Sequence, residues 1–366
     1  MTKKARKLID FWKLGVNGRL NQAALLKQLR RHYPPFLSVR MTRHCILNCQ
    51  HCLYPKANVK DFDRVNLRRI GLVIQSAAKV GIKHLIYTGR VLKKRHLDLL
   101  KKAQDLGMKL YLIDNGSAAK LLEDIRQKGL FFDGGIDISI DGDKQTHEKQ
   151  RGPNSFNLAI QGAKKLREAG SGISVTATAS SINYQSITRG LVKLRGQLPF
   201  VKVWQLATTV SFAHHKKRMN LNKQEMKTLF ANFKKFVQKY DLTLAIYQNN
   251  DMEPILKDLN KIGKPEFKYI SMFWSLGKGK VKYFPESIVV SEEIPIDADG
   301  THYLPFKADY HLGERPAEYA SDSDLIIRDP DKSYEALVQK HWETQGKYKF
   351  EQEKRMFGKL KNIVNS

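Results

Sequence analysis

Cys45-Ile46-Leu47-Asn48-Cys49-Gln50-His51-Cys52 holds every cysteine of this 366-residue chain. The spacing is C-x3-C-x2-C, three thiols within eight residues. A protein that carries no other cysteine and packs three together is not using them to fill a core. An odd cluster this tight cannot pair off into disulfides either. Thiolates so close in sequence wrap a soft metal centre, and an iron–sulfur cluster is the natural occupant. Three protein ligands leave one iron of a 4Fe-4S cluster open to a small molecule. The competing occupant is a structural zinc ion with His44 or His51 as fourth ligand, which in a basic chain suggests a nucleic-acid-binding module. Zinc sites usually bring their ligands from two separated pairs, whereas here all crowd into one loop.

Working outward from the loop, the chain alternates strand and helix. Phe36–Met41 reads as a short strand entering the cysteines. Helical patterns over Val65–Val80, His96–Leu106, Ala118–Lys128, Phe156–Ala169 and Ile187–Leu194 separate apolar runs at His84–Tyr87, Lys109–Ile113, Gly135–Ile140, Ile173–Ala179 and Val201–Leu206. Lys223–Tyr240 is a further helix, and Leu242–Tyr247 one more candidate strand. Strands joined through helices pair in parallel with right-handed crossovers. The runs lack strict alternation, which suits strands buried on both faces. A doubly wound sheet and a partial barrel both satisfy the pattern. Polar residues gather at the strand C-terminal ends, Cys45, Thr88-Gly89, Asn115, Ser139-Asp141 and Gln205, and in parallel α/β folds that edge carries the chemistry.

The two flanks differ from this middle. Residues 1–33 are basic, with apolar Leu8, Phe11, Trp12 and Leu14, and read as helical up to Pro34-Pro35. After about Asn250 short strands are expected at Tyr269–Trp274, Val281–Phe284 and Ile288–Val290. Asp299-Gly300 reads as a hairpin turn between Ile294–Ile296 and Thr301–Leu304. A helix over Ser333–Trp342 and a basic helical tail from Lys347 follow. The expected division is a basic N-terminal helical segment at 1–33, a barrel at 34–250 and a small α+β extension at 251–366.

A hydrophobic content of 42% supports a real core. No apolar run reaches the roughly 18 residues of a transmembrane span, and no secretory signal opens the chain. A cytoplasmic location, where thiols stay reduced, is the default. The net charge of +28 points to an anionic partner or substrate, or to solvated helix faces. Doublets such as Lys101-Lys102 and Lys234-Lys235 sit on expected helices and favour solvated faces, and no aromatic-interleaved RNA-binding run accompanies them. No Ser-His-Asp set, phosphate-binding P-loop or dinucleotide glycine fingerprint occurs.

The combination of motifs resembles the radical S-adenosylmethionine (radical SAM) superfamily. His51 and Tyr54 match its CxxCxHCxY form of the cluster loop. Ile86–Leu92, IYTGRVL, stands where that family has a strand ending in TGGEP, and Leu112–Ser117, LIDNGS, resembles its LxTNG strand end. Asp137–Gly142, DISIDG, and His147–Gly152, HEKQRG, resemble the ISLDG…HDxxRG stretch of the branch with SPASM or twitch extensions. Ser155–Gly170 follows like that branch's GSFxxAxxGxxxLxxAG helix. The resemblance covers roughly residues 35–245.

What the resemblance implies is a partial (β/α)6 TIM-type barrel with a small α+β SPASM-like C-terminal extension. It further implies one 4Fe-4S cluster on Cys45, Cys49 and Cys52, with SAM chelating the fourth iron. Reductive cleavage of SAM would give a 5′-deoxyadenosyl radical that abstracts hydrogen from a substrate left unidentified. By position, Ser139, Arg151, Asn115, Gly89 and Arg90 are its SAM-contacting candidates, Arg151 as a fork-shaped donor to the SAM carboxylate. Plain alternatives exist: a strand-end serine, a surface arginine, and turn residues at Asn115-Gly116 and Asp141-Gly142. A flavodoxin or ferredoxin-like reductant is implied as partner, and the substrate is open, an anion or a peptide among the options.

Two departures from the family pattern stand out. Gly89-Arg90-Val91-Leu92 replaces Gly-Gly-Glu-Pro, removing a carboxylate that accepts from the SAM amine. A degenerate member with impaired SAM cleavage is therefore an alternative reading. The extension, IPIDADGTHYLPFKADYHLG over Ile294–Gly313, resembles a SPASM hairpin without its auxiliary-cluster cysteines, with Leu304 and Pro305 near the expected place. His214-His215 reads as an exposed loop pair or a proton-transfer group, and Trp204 and Gln205 as candidates to line the substrate cavity.

Overall fold

From Phe36 to Tyr247 each connection between successive strands contains a helix, so these strands enter in the same direction and pair in parallel. The computed structural model describes residues 36–42, 45–52, 67–79, 81–88, 92–209, 218–247, 258–259, 261, 266–268, 271–283 and 293–296. In chain order these give β1 (Phe36–Val39), α1 (Leu67–Lys79), β2 (His84–Tyr87), α2 (Leu97–Asp105), β3 (Lys109–Asp114), α3 (Leu122–Gln127), β4 (Gly135–Ser139), α4 (Lys144–Arg151), α5 (Ser155–Glu168), β5 (Ile173–Ala179), α6 (Ile187–Gln197), β6 (Val203–Thr208), α7 (Lys223–Lys239) and β7 (Thr243–Tyr247). There follow β8 (Glu266–Lys268), β9 (Ser271–Leu276), β10 (Gly279–Tyr283) and β11 (Glu293–Ile296).

Strands β1 to β7 lie side by side in sequence order within one sheet. The six expected β/α units are its body, a partial TIM-type barrel. Leu242–Tyr247 does form a seventh strand, and the sheet then runs further. β10 pairs in parallel with β7, while β9 and β8 continue antiparallel beyond it. On the other edge β11 lies parallel to β1, Phe36 opposite Glu293 and Val39 opposite Ile296. β11 thus pairs into the barrel sheet, filling the open row of peptide groups that an edge strand presents. Its expected hairpin partner Thr301–Leu304 lies outside the described residues, as do the 1–33 segment, Ile288–Val290, Ser333–Trp342 and the tail from Lys347.

The strands alternate more strictly than their apolar runs suggested. In β5 Ile173, Val175, Ala177 and Ala179 are buried, and Ser174, Thr176 and Thr178 between them are half-exposed. The buried set meets the helices, where Ile70, Val73 and Ile74 of α1, Leu97 and Leu100 of α2 and Leu229, Phe233 and Phe236 of α7 join one core. Each such side chain, fully buried, contributes roughly 1.5–3 kcal/mol. The other set faces the concave side, which is open enough for polar residues to keep water. Trp204 belongs to the helix side, 1% exposed and edge-on to Phe236 at 5.9 Å. It is a core residue, and only its neighbour Gln205 turns toward the cavity.

Helix α4 was not expected, yet its start is written in the sequence. Asp143 accepts from the Thr146 N–H at 3.1 Å, an N-cap three residues ahead of its donor.

Two buried histidines tie the fold to pH. His96 Nδ1 accepts from the Lys93 N–H (3.2 Å) and the Tyr87 hydroxyl (3.1 Å), and His147 Nδ1 accepts from the Asp141 N–H (3.1 Å). Burial pushes both imidazoles down to about 4, helped at His96 by Arg95 and Lys93. In the unfolded chain they take protons near 6.5, so the unfolded state binds more protons between those values and stability falls as pH drops through the window. The expected loss from pH 7 to pH 4 is on the order of 3 kcal/mol per histidine. Urea midpoints against pH check it, and His96→Gln should flatten the curve; an unchanged slope in that variant would remove His96 from the account.

Candidate active site

The C-terminal end of β1 is tied to that of β2, where the Thr88 N–H donates to the Val39 carbonyl at 3.0 Å. The cysteine loop begins just beyond this edge. Within it the Cys52 N–H donates to the Cys49 carbonyl at 3.2 Å, and the Leu47 N–H donates to Cys45 Sγ at 3.5 Å. Gln50 then fastens the loop to α4. Its backbone N–H donates to the Gln150 carbonyl at 2.7 Å and its side-chain Nε2 to the Lys149 carbonyl at 2.8 Å. Those carbonyls belong to the last helical turn, whose acceptors have no partner inside the helix.

Under the loop lies an ion pair. Arg151 donates through Nε to Asp141 Oδ2 at 2.5 Å and through Nη2 to Oδ1 at 3.0 Å. Asp141 also accepts from Gln150 Nε2 and from the Thr178 N–H, both at 2.8 Å. Gln150 in turn donates to the Thr178 carbonyl and accepts from Ser180 Oγ, while Asn183 accepts from the Ser180 N–H. One network therefore joins the end of β4, the end of α4 and the loop after β5.

The charges in this network are coupled to the thiols. Burial alone would raise the Asp141 carboxyl, but Arg151, His51 and His147 outweigh it and hold the group well below the usual carboxylate range. Burial opposes the charge on Arg151, yet the Asp141 carboxylate beside it holds the guanidinium protonated. Burial pushes the Cys49 thiol up to about 12, with Arg151 pulling the other way and Cys52, Asp141 and Cys45 adding to the rise. The metal-free site thus keeps Cys49 as a neutral thiol beside a cation. An iron ion inverts this balance, since a coordinating thiol loses its proton outright.

Among the described residues no three His, Cys, Asp or Glu side chains converge on one ion. A 4Fe-4S cubane takes each thiolate on a different iron, so its ligands need not meet at a point. Three half-buried cysteines on one short loop, none in a disulfide among the described residues and Cys49 beside the Arg151 charge, suit that cluster.

The other expected site residues fall as follows. Ser139 ends β4, half-buried on the concave face opposite Thr176. Asn115 sits in the turn after β3, its Oδ1 accepting from the Ser117 N–H at 3.1 Å. Gly89 and Arg90 lie outside the described residues, as do His44, Tyr54 and His214-His215. Arg151 is no surface residue but is 7% exposed inside the pair with Asp141. Sequence reasoning placed Asp141 at a strand end with a plain turn as its alternative, and gave Gln50 no role. An Asp–Gly pair announces a turn whatever else its carboxylate does.

Comparison with known proteins gives a partial family match and a likeness of fold. The radical SAM superfamily model matches residues 39–183. No curated protein sequence matches the chain. Among solved structures, Streptococcus suis SuiB bound to S-adenosylmethionine is similar at a TM-score of 0.55 and 15% identity, over 90% of this chain and 77% of that one. SuiB bound to its precursor peptide SuiA gives the same score and identity over 89% and 77%. Native anSMEcpe with bound AdoMet matches at 0.55 and 13%, over 87% and 82%. At such identities the likeness is one of fold.

Proposed function

We propose that this chain, a radical SAM superfamily member through residues 39–183, is an enzyme that cleaves S-adenosylmethionine reductively to start hydrogen abstraction from a substrate. The observation that carries the reading is the three-thiol loop at the strand C-terminal edge, fastened by Gln50 to the end of α4 where Arg151 pairs with the buried Asp141. Cys45, Cys49 and Cys52 would hold a 4Fe-4S cluster, which when bound and reduced would supply the electron for cleavage of the sulfonium C–S bond of SAM.

The residues of the chain have their own tasks. Gln50 holds the loop against α4, so the three thiols keep their spacing whatever they bind. Arg151 places a permanent positive charge beside the thiolates and lowers the cost of assembling so much negative charge. Ser139 and Asn115 stand at neighbouring strand ends on the same edge, where they would contact the cofactor. The concave face behind them gives a cavity whose walls exclude stray donors when a substrate fills it.

A second reading keeps the cluster and loses efficient cleavage, because Arg90-Val91 stands where the family has a carboxylate acceptor. One assay separates the two. Anaerobically reconstituted protein with SAM and dithionite is expected to release 5′-deoxyadenosine, and Cys49→Ala to lose iron and release none. An iron-replete wild type that forms no 5′-deoxyadenosine would establish the second reading. With an acidic flavodoxin replacing dithionite, rising salt should slow reduction steeply if the basic surface docks the donor. Among the described residues no helix is long and apolar enough to cross a membrane.

A further inference from the structure

The described residues of β1 to β7 contain two carboxylates, Asp114 and Asp137, and they face opposite ways. Asp114 is buried on the helix side and accepts from Ser117 Oγ (3.1 Å) and the Ala118 N–H (3.0 Å), closing the turn after β3. Asp137 is on the concave face, half-buried, two residues below Ser139 on β4. Two residues of strand are about 7 Å, so Asp137 lies one level deeper in the cavity than the strand-end edge.

Three donors from the neighbouring strands fix the Asp137 carboxylate. Ser174 Oγ donates to Oδ1 at 2.8 Å, Gln205 Nε2 to Oδ1 at 3.1 Å, and Thr176 Oγ1 to Oδ2 at 2.5 Å. Gln205 Nε2 also reaches Ser174 Oγ at 3.3 Å. A carboxylate has about four acceptor sites, so one remains on Oδ2. Gln205 commits its amide nitrogen to this cluster, and among the described residues its Oε1 accepts no hydrogen bond. No lysine, arginine or histidine forms an ion pair with Asp137 among the described residues. Burial raises its carboxyl above the usual range, against Thr176, Ser174 and distant Arg151. In a chain of net charge +28, an unpaired acid inside the barrel is unusual. On the β3 side its strand neighbour is Ile113, 37% exposed on the same concave face.

We propose that Asp137, with Gln205 beside it and Ile113 as an apolar flank, is the subsite that binds an alkylammonium group of the substrate. An ammonium brings three donors and no acceptor, which suits the remaining Oδ2 site and Gln205 Oε1. Its alkyl stem would lie along Ile113. The proposal rests on the radical SAM reading and gives it a substrate class, a primary amine. It also separates the cavity from the exterior: the excess lysines coat helices, whereas the pocket itself selects a cation.

The test uses the full chain, anaerobically loaded with cluster and SAM, titrated calorimetrically with n-pentylammonium, 1-pentanol and pentanoate. The amine is expected to bind at least tenfold more tightly than the other two. Asp137→Asn should remove that preference and leave alcohol and SAM affinities unchanged. Gln205→Met, which keeps the carboxylate, should weaken amine binding in the same direction. Equal binding of amine and alcohol, or no binding of any probe, overturns the proposal. Loss of SAM affinity in Asp137→Asn with unchanged probe binding would assign the acid to the SAM amine and overturn it too. Release of 5′-deoxyadenosine in the same samples is scored separately, so amine selectivity without cleavage sinks the radical reading alone.

Discussion

Replacing Asp141 by alanine is expected to destabilise the protein by roughly 3–5 kcal/mol, the cost of stranding one member of a buried ion pair. Folded domains hold only about 5–15 kcal/mol in reserve, so the variant should sit near its unfolding threshold at room temperature. The loss comes from several acceptors removed together. Arg151 Nε and Nη2, Gln150 Nε2 and the Thr178 N–H all donate to this one carboxylate. Arg151 would then stay charged and buried against Cys49 with no counter-ion. Guanidinium unfolding of the wild type and variant reads the stability, and iron and sulfide content reads the site. The double variant Asp141→Leu/Arg151→Met separates the roles. It should recover much of the stability, since apolar groups of similar volume often replace a buried pair without loss. It should not recover cluster loading, because the charge beside the thiols is gone. A double variant that loads the cluster normally would confine Arg151 to folding.

The second large effect is expected at Gly162. A Cβ there would lie 2.4 Å from the Gly116 carbonyl oxygen and 2.5 Å from the Gly116 Cα. The reverse contact is equally close, 2.4 Å from a Cβ on Gly116 to the Leu158 carbonyl oxygen. Backbone thus meets backbone where α5 crosses the turn after β3, and neither side has a flexible end to give way. Gly162→Ala should cost about 1–3 kcal/mol through overpacking. Gly116→Ala meets the same clash with φ at +96°, and that adds a further ~1–2 kcal/mol of left-handed strain. Thermal unfolding measures both. Because Asn115 lies in the same turn, Gly162→Ala should also weaken SAM binding if that turn contacts the cofactor. A variant as stable as wild type would mean that α5 slides away from the turn at little cost.

Much of the architecture is legible along the chain. The order of strands and helices follows from apolar periodicity, and the cysteine loop stands out because its three thiols lie within eight residues. The glycine of the Ser155–Gly170 helix belongs to a recognisable motif, although only the crossing at Gly116 gives it a reason. The alternation within strands was less visible. Ser174, Thr176 and Thr178 break an apolar run that looks continuous when small residues such as alanine occupy the buried positions.

The remaining features exist only once separate strands and helices are brought together. Asp141 lies just before α4 and Arg151 is its last residue, ten positions on, so the helix must form before they can meet. Gln50 finds its acceptors about a hundred residues away, on carbonyls free only because α4 ends there. Asp137 looks like any polar residue in a strand until β5 and β6 supply its three donors. By itself the sequence determined that three thiols share one loop and which way the strands run, because those depend on local spacing and local periodicity. The tertiary structure alone decided what surrounds those thiols and which polar groups meet on the concave face, because buried charges take their meaning from neighbours that the chain order does not place beside them.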